Sequence, residues 1–500
     1  MLAAMTTALR PTTVEHTLRA TIAGAGHDVL LGFDVRPGAT RIDVSVDTTP
    51  RAEVELGLFD TRGPGYRSPG FRGIYGPERP ACHVATTDAS PGFRAGPLPP
   101  GRWTALLAVG AAPRTAQAIV RVRITSDPRE APHHALRSGT PAAVRHRPGW
   151  YRGDLHAHTD ASSDAWAAGT ALTVEDWSTA CRGLGLHFAA ITDHNVVGQN
   201  ASLARAGGRD VLLLPGEEVT SWSHGHATAS GLPVDAWLDW RHRPAWLPLG
   251  RHERRVTALV AAAHDLGAYL AAAHPFRDPY GWQFFADAED DPAAMPHGLE
   301  VWNGTFGPSD RAAVAFWDAL LQRGWRIAAN GGSDLHGHET DGRTPGMPTT
   351  VVHADALSRD GLVDALRSGR SFVTRHPAGV EIYLDAATRD GRVASVGGTL
   401  HPRPDEQVTV QAHLRGAAGT VLHLLGGGRL WHCRQIADDV ATVTARMPAS
   451  AAFVRAEVLR PAGPVGPPTM EALTNPIVFA PGPPPDAASF RSPWPSEPTT

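Results

Sequence analysis

The sequence predicts a mixed α/β protein in which a barrel-like α/β region lies between two antiparallel β-sandwiches. Apolar residues alternate with period two from about residue 16 to 126, and the same pattern returns after about residue 377. Between about 147 and 376, short apolar strands alternate with helices of ten or more residues. A chain of 500 residues is too long for one hydrophobic core, so two or three domains are expected.

The N-terminal region, residues 1–146, is predicted to be a β-sandwich. Apolar residues occupy every second position of its strands, as in Ile42, Val44 and Val46, and turns rich in Gly and Pro separate the strands. The segment DTRGPGYRSPGFRGIYGPERPA at 60–81 is too long and too rich in Gly and Pro for a plain hairpin turn. It is either a disordered loop, which is the favoured interpretation, or a loop that reaches toward a site.

The central region, residues 147–376, is predicted to be an α/β barrel-like domain. Strands such as HFAAIT, VLLLP and AYLAAA are almost wholly apolar, which is typical of strands buried on both faces of a parallel sheet. Functional side chains of such barrels cluster at the carboxyl ends of the strands. Helices are expected at Thr173–Leu184, Arg251–Leu266, Pro308–Arg323 and Ser358–Ser368.

The C-terminal region, residues 377–480, is predicted to be a second β-sandwich. Segments such as VEIYLDA and EQVTVQAHL return to the alternating pattern of half-buried strands. Residues 481–500 are rich in Pro, and a disordered tail is expected there.

Composition excludes several classes of protein. The chain contains no Lys, which excludes Schiff-base enzymes and phosphate-loop nucleotide hydrolases. A net charge of -4 without long runs of one sign argues against nucleic-acid or membrane partners and favours a small-molecule substrate. The three Cys are scattered along the chain, and no apolar stretch resembles a signal peptide or is long enough to span a membrane. These observations predict a soluble, cytoplasmic protein. Association into a homo-oligomer is compatible with this composition.

Candidate metal ligands lie where the predicted strands of the central region end. His156 and His158 share one face of a strand end, Asp154 is expected to support them from behind, and imidazole is the commonest ligand for zinc and similar metals. A lone pair of His is usually an ordinary surface or core feature. Here the further clusters ITDHN, PGEE, HGHATASG, AAAHPF and GGSDLHG follow other strands. The nine candidate ligands are His156, His158, Asp164, His194, Glu218, His226, His274, Asp334 and His336.

A carboxylate among these imidazoles can bridge two metal ions, which together activate a shared water. Glu218 is the predicted bridge, and the adjacent Glu217 is the competing choice. The water would attack a phosphorus or carbonyl centre, while Asp334 or a nearby histidine such as His194 handles the proton. No protein nucleophile is needed.

The central region contains the motifs HAHTDASSD, ITDHN, a Glu after a Pro-Gly turn, HPF and GSDLH. Together they resemble the motifs of the polymerase and histidinol phosphatase (PHP) superfamily of metallohydrolases. The resemblance covers about residues 147–376 and keeps the family's motif order. It implies a distorted (β/α)₇ barrel that binds two or three divalent ions, Zn, Mn or Fe. The flanking sequences GPLPPGRW and ALTNPI resemble those of the carbaryl-hydrolase-like branch of the superfamily.

The resemblance also implies a set of ligands for each ion. His226 is preferred to His224 because the family's ligand directly precedes a small-residue turn. Many members have His in place of Asp164, which implies either a weaker third site or one that prefers Fe or Mn over Zn. The implied sets are His156, His158, Glu218 and Asp334 for the first ion, Glu218, His226 and His274 for the second, and Asp164, His194 and His336 for the third.

The predicted reaction is hydrolysis of a small-molecule phosphoester, and the alternative is carbamate, ester or amide cleavage as in the carbaryl-hydrolase type. Trp302 and Asn303 end the strand GLEVWNG and are candidate substrate contacts at the barrel mouth. Arg277 is either a phosphate clamp or a member of a surface ion pair.

Two rival interpretations remain. Amidohydrolases also open with an HxH pair, but many of them bridge their metals with a carboxylated lysine, and this chain has no Lys. A protein of another class, a non-catalytic, metal-stabilised binding module, would share the ligands but not the activity.

Overall fold

The computed structural model describes residues 10–129, 143–221, 225–337, 342–462 and 467–480. The Pro-rich tail at 481–500 and His224 lie outside the described residues. Among the described helices, none is both long enough and apolar enough to cross a membrane.

The N-terminal region forms a seven-stranded antiparallel sheet organised by one long strand. The first half of β7 pairs with β2 and β4, and its second half pairs with β1 and β3. Apolar side chains of both halves form one buried core, because alternate residues of each strand point to the same face. The strands are β1 (Thr12–Gly24), β2 (His27–Val35), β3 (Arg41–Thr49), β4 (Glu53–Phe59), β5 (Phe71–Tyr75), β6 (Ala81–Ala85) and β7 (Gly101–Ser126).

The segment at 60–81 is ordered, so the favoured expectation of a disordered loop is wrong. It contains β5, and all five residues of that strand are buried. The Phe71 ring stacks on Trp237 of the central region at a centroid distance of 4.1 Å. Arg241 donates to the backbone carbonyls of Pro64 and Gly65, at 3.1 and 3.2 Å. These contacts across two regions are what order a segment whose local composition is typical of a loop.

The central region has a nearly closed, barrel-like sheet with the strand order β8-β9-β10-β11-β14-β15-β16. The N–H of Asp334, just after β16, donates to the carbonyl of His156 in β8 at 2.9 Å, which brings the two end strands together. The elements are β8 (Gly149–Ala157), α1 (Ser163–Ala167), α2 (Val174–Leu184), β9 (Phe188–Ile191), α3 (Leu203–Gly207), β10 (Leu212–Ser221), β11 (Gly225–Ser230), β12 (His242–Arg243), β13 (Arg254–Arg255), α4 (Val256–Asp265), β14 (Tyr269–Ala272), α5 (Phe285–Asp290), β15 (Gly298–Asn303), α6 (Pro308–Gln322) and β16 (Ala328–Gly332).

The alternation of strand and helix is interrupted at β11. β10 and β11 pair directly as antiparallel neighbours, and β11 is also antiparallel to β14, whereas β8-β9-β10 and β14-β15-β16 are parallel. The helix α4 begins at Val256 rather than at the predicted Arg251, because Arg254 and Arg255 form β13. Helix α2 begins as predicted, with Thr173 and Asp176 forming a capping box.

The large sheet continues from the end of the central region into the C-terminal region, which also adds a second sheet. β17 pairs with β8, and the order β17-β18-β27-β26-β23-β24 extends the sheet, while β20-β19-β22-β25 forms a separate four-stranded sheet over a common core. The elements are β17 (Thr349–Ala354), α7 (Arg359–Arg367), β18 (Ser371–Thr374), β19 (Glu381–Ala387), β20 (Val393–Ser395), β21 (Thr399–Leu400), β22 (Gln407–Arg415), β23 (Thr420–Gly426), β24 (Arg429–Ile436), β25 (Val440–Pro448), β26 (Phe453–Arg460), β27 (Thr469–Thr474) and β28 (Ile477–Phe479). The fold is therefore mixed α/β and rich in strands, as predicted.

Candidate metal centre

The predicted ligands gather where the parallel strands of the barrel-like sheet end. β8 contains His156 and is followed by His158, and β14 is followed by His274. Carboxyl ends of neighbouring parallel strands meet at one edge of a sheet, so these side chains come within reach of one another. Eight of the nine predicted ligands form four overlapping groups of three whose donor atoms lie within 4.8 Å of one another. The ninth, Asp164, lies 3.1 Å from His336.

The first group consists of His156, His158, Glu218 and Asp334. Nε2 of His156 lies 3.4 Å from Oε2 of Glu218 and 3.3 Å from Oδ1 of Asp334. Nε2 of His158 lies 3.5 and 3.2 Å from the same two oxygens. Ligands about 2.1 Å from one ion at tetrahedral angles are about 3.4 Å apart, so these spacings fit a shared cation. The group is the set that the PHP resemblance implies for a first ion.

The second group uses the other oxygen of Glu218. Oε1 lies 3.0 Å from Nδ1 of His226 and 3.2 Å from Nε2 of His274. The two oxygens of this fully buried carboxylate therefore face different imidazoles. Oε1 faces His226 and His274, and Oε2 faces His156, His158 and His194. That is the arrangement of a carboxylate that can bridge two ions.

The third group consists of Asp164, His194 and His336. Oδ2 of Asp164 lies 3.3 Å from Nε2 of His194 and 3.1 Å from Nε2 of His336, and the two ring nitrogens are 3.4 Å apart. Nδ1 of His194 lies 2.8 Å from Oε2 of Glu218. The His194 ring thus joins the third group to the first two.

The residues of the first two groups fit a divalent metal. Nε2 of His156 and Oε2 of Glu218 are buried without a hydrogen-bond partner. Buried polar atoms are normally paired, and a cation between these two atoms would satisfy both. Imidazole and carboxylate donors together suit Zn, Mn or Fe.

Glu300 of β15 supports two of the candidate ligands and was missed from the sequence. Its Oε1 lies 3.0 Å from Nδ1 of His156, and its Oε2 accepts the backbone N–H of His274 at 2.8 Å. A carboxylate behind a metal-binding imidazole fixes the ring's orientation and raises its basicity. The signal available was the Glu of GLEVW, which is a charged residue inside an otherwise apolar strand.

Asp154 has a different role from the one expected. Its carboxylate does not contact the His156 or His158 ring but accepts backbone N–H groups of His156, Ser333 and Gly346, at 3.1, 3.0 and 2.7 Å. It therefore fixes the backbone of β8 against the segment after β16.

Glu217 is not placed to act as the bridge. Successive side chains of a strand point to opposite faces, so Glu217 points away from the cluster that Glu218 enters. Its Oε2 accepts the backbone N–H of Leu238 at 2.7 Å.

Two candidate ligands have a backbone conformation that is uncommon for residues other than Gly. His274 has a φ of 27° and Asp334 a φ of 51°. Such strained backbone persists where the surrounding structure holds it, and it clusters at functional sites. Here it occurs at the two residues that turn into the cluster after β14 and β16.

The electrostatics of the cluster favour a cation. Burial alone would raise the pKa of Glu218, but the charges of His156, His194 and His226 outweigh burial and hold that pKa well below its ordinary value. Burial also opposes ionisation of Asp334, and His156 chiefly reverses this and lowers its pKa. The two carboxylates are therefore ionised although both are buried.

The three predicted substrate contacts differ in where they lie. Arg277 is half-exposed, and its Nη1 donates to Oδ2 of Asp334 and to Oδ1 of Asn303, each at 3.1 Å. Its ion pair is thus made with a candidate ligand and not with a surface acid. Trp302 is 1% exposed and packs on Phe306, so the expectation that it contacts substrate is wrong. Its indole N–H donates to the Gly304 carbonyl at 3.0 Å, because Trp302 points to the core face of β15.

A cavity of about 300 Å³ opens onto the cluster. His194, His226, His274, Asp334 and His336 line it from the barrel. The N-terminal sheet also contributes to its wall, through Ile74, Gly76, Pro77 and Glu78 among others. A neighbouring cavity of about 240 Å³ is lined by Arg277, Asn303, Thr305 and Arg343 among others.

No protein-family model matches the chain, and no curated protein matches it in sequence. A solved two-domain protein from Bacteroides vulgatus, described as containing a predicted PHP-like metal-dependent phosphoesterase, aligns with 69% of this chain and 100% of its own, at 17% identity and a TM-score of 0.35. A candidate metal-dependent phosphoesterase from Bifidobacterium adolescentis aligns with 43% of this chain and 94% of its own, at 17% identity and a TM-score of 0.30. Likenesses with such scores carry no argument about the chemistry. The functional assignment rests on the buried cluster of His, Glu and Asp, which can bind divalent metal ions.

Proposed function

We propose that this protein is a metallohydrolase of the PHP type that uses two or three divalent ions to cleave a small-molecule phosphoester. The observation that carries the proposal is the position of Glu218, whose two oxygens face two different sets of imidazoles. One carboxylate shared in this way can hold two ions side by side, as a two-metal hydrolytic site needs.

Divalent ions at such a site lower the pKa of water and stabilise negative charge that develops on the reacting centre. Asp334 is ionised, because the charge of His156 outweighs burial and holds the pKa of this carboxyl well below its ordinary value. Arg277 donates to its outer oxygen at 3.1 Å, which holds the carboxylate in one orientation. The residues that would hold the ions are His156, His158, Glu218 and Asp334 for the first, Glu218, His226 and His274 for the second, and Asp164, His194 and His336 for the third.

A phosphorus centre is favoured over a carbonyl centre by the charge at the cavity. Arg277 and Arg343 both line it, and both also line the neighbouring cavity. Guanidinium groups recognise phosphate through paired hydrogen bonds, and a neutral carbamate or ester does not need them. We infer that the scissile group is anionic.

The proposal includes the finer organisation of the chain. The barrel-like sheet would be a distorted (β/α)₇ barrel at 147–376, and the sheets at 1–146 and 377–480 would be flanking sandwiches. Interruption of the alternation at β11 is compatible with a distorted barrel.

The test is a panel of phosphomonoesters, phosphodiesters, carboxylic esters and aryl carbamates, assayed with protein loaded with Mn²⁺, Zn²⁺ or Fe²⁺. We expect hydrolysis of nitrophenyl phosphate that a chelator abolishes. Asp334→Ala should remove it without a change in thermal unfolding, and Asp364→Ala, at an exposed position of α7, is the matched control.

Two outcomes would replace the proposal. Turnover of carbamates or carboxylic esters without any turnover of phosphoesters would favour the carbonyl alternative. A stable protein that binds metal and cleaves none of the four classes would favour the non-catalytic binding module.

A further inference from the structure

The turn that joins β5 to β6 of the N-terminal sheet is docked on the segment that contains Asp164. The backbone N–H of Gly76 donates to Oγ of Ser163 at 2.8 Å. The guanidinium of Arg79 donates to the carbonyl of Asp160 at 3.1 Å and lies 4.8 Å from the centre of the Trp166 ring. Three contacts therefore hold this turn against the segment that contains Asp164.

This docking places Glu78 in the wall of the 300 Å³ cavity, together with Ser163, Asp164 and His194. Its side chain folds back over Gly76, where a Cβ would lie 2.6 Å from Oε2 of Glu78. Within the part of the chain that the structure describes, Glu78 has no ion-pair partner. The cavity wall thus contains an exposed carboxylate that is not paired with an Arg or His side chain of the described chain.

The basic groups of the cavity lie on a different side. Arg277 and Arg343 also line the neighbouring cavity with Asn303 and Thr305, and Glu78 does not. The cavity therefore has an arginine-lined side in the barrel and an acidic wall that the N-terminal sheet supplies. A volume of about 300 Å³ is at the small end of the range for ligand pockets, which fits a small molecule rather than a polymer.

We propose that the substrate is a small zwitterion, with an anionic phosphoryl group toward the arginines and a cationic nitrogen that contacts Glu78. This proposal rests on the phosphoesterase function and deepens it. Glu78 would act as a specificity residue, because a carboxylate binds an ammonium group through charge-assisted hydrogen bonds that an apolar group cannot make.

The test compares two non-hydrolysable phosphonates of the same size, 2-aminoethylphosphonate and propylphosphonate. They differ only in an ammonium group in place of a methyl group. Isothermal titration calorimetry with Mn²⁺-loaded full-length protein should give about twofold to fivefold tighter binding of the amine, the size expected for one partly exposed charge pair. Equal affinities for the two phosphonates, or failure of both to bind, would overturn the proposal.

Two variants and a control assign the preference to Glu78. Glu78→Gln should remove the preference for the amine, and Glu78→Arg should reverse it. Glu15→Gln, on the exposed face of β1 of the same sheet, should keep the wild-type preference. Retention of the full preference in Glu78→Gln would also overturn the proposal.

A separate assay distinguishes this proposal from the phosphoesterase function. Hydrolysis of nitrophenyl phosphate tests the function without any amine in the substrate. Hydrolysis of nitrophenyl phosphate together with equal binding of the two phosphonates would reject the zwitterionic substrate and keep the phosphoesterase function. A preference for the amine without turnover of any phosphoester would reject the reaction and keep the assignment of Glu78.

Discussion

Glu300 and His156 form a buried carboxylate–imidazole pair, with Oε1 of Glu300 3.0 Å from Nδ1 of His156. The other nitrogen of the ring, Nε2, faces Glu218 and Asp334. Both partners are at most 1% exposed. The pair therefore holds one ring nitrogen so that the other is available to a metal ion.

Glu300→Gln should weaken metal binding about 10- to 100-fold, the usual cost of losing a carboxylate behind a metal-binding imidazole. A chelator-competition titration with Mn²⁺ measures this. Glu289→Gln is the control, since Glu289 is exposed and pairs with Arg323 on the surface. Unchanged Mn²⁺ affinity in Glu300→Gln would show that the pair does not serve the metal.

Metal affinity should fall as the pH falls. Burial alone would lower the pKa of His156 and of His194. The negative charge of Glu300 outweighs burial at His156, and that of Asp164 outweighs it at His194, so both pKa values lie well above the ordinary value. These rings are therefore protonated at neutral pH before metal binds, and the ion must displace their protons. Each displaced proton makes the affinity for Mn²⁺ fall about tenfold for every unit by which the pH falls. With one or two protons displaced, we expect the affinity to fall about tenfold to a hundredfold per pH unit between pH 8 and 6. An affinity for Mn²⁺ that does not vary across this range would contradict the assignment of these rings as ligands.

Asn475 of the ALTNPI segment should matter for stability. It is fully buried, and its side-chain amide accepts the N–H of Ala329 at 2.7 Å and donates to the carbonyl of the same residue at 2.8 Å. Asn475→Ala leaves both backbone groups of β16 unpaired, which should lower the free energy of unfolding by about 2–4 kcal/mol. Urea unfolding measures this, with Gln411→Ala at an exposed position of β22 as the control. A loss below about 0.5 kcal/mol, the range of ordinary surface substitutions, would mean that water replaces the amide.

The sequence predicted which side chains gather at the cluster better than it predicted their surroundings. His156, His194, His274 and Asp334 could be found because each ends or follows an apolar strand, and the ends of parallel strands meet wherever the sheet closes. Glu218 was separated from Glu217 only by the structure. Strand alternation puts the two on opposite faces, and the sequence does not say which face is the inner one.

Contacts between regions were beyond the reach of local pattern. Glu78 enters the cavity because a turn of the N-terminal sheet docks on Ser163, and nothing in the composition of 60–81 indicates that docking. Trp302 was misassigned for a related reason, since an aromatic residue near a strand end suits either the cavity or the core. The role of Glu300 depends on a neighbour that lies far away in the sequence.

The central claim is that one carboxylate, Glu218, joins two metal ions, and the number of ions bound per chain tests it most directly. Inductively coupled plasma mass spectrometry of Mn²⁺-loaded protein after removal of free metal should find two or three ions per chain in the wild type. Glu218→Gln should lose about two of them, and Glu217→Gln, at the adjacent buried acid that faces away, should lose none. Equal metal content in Glu218→Gln and the wild type would contradict the account.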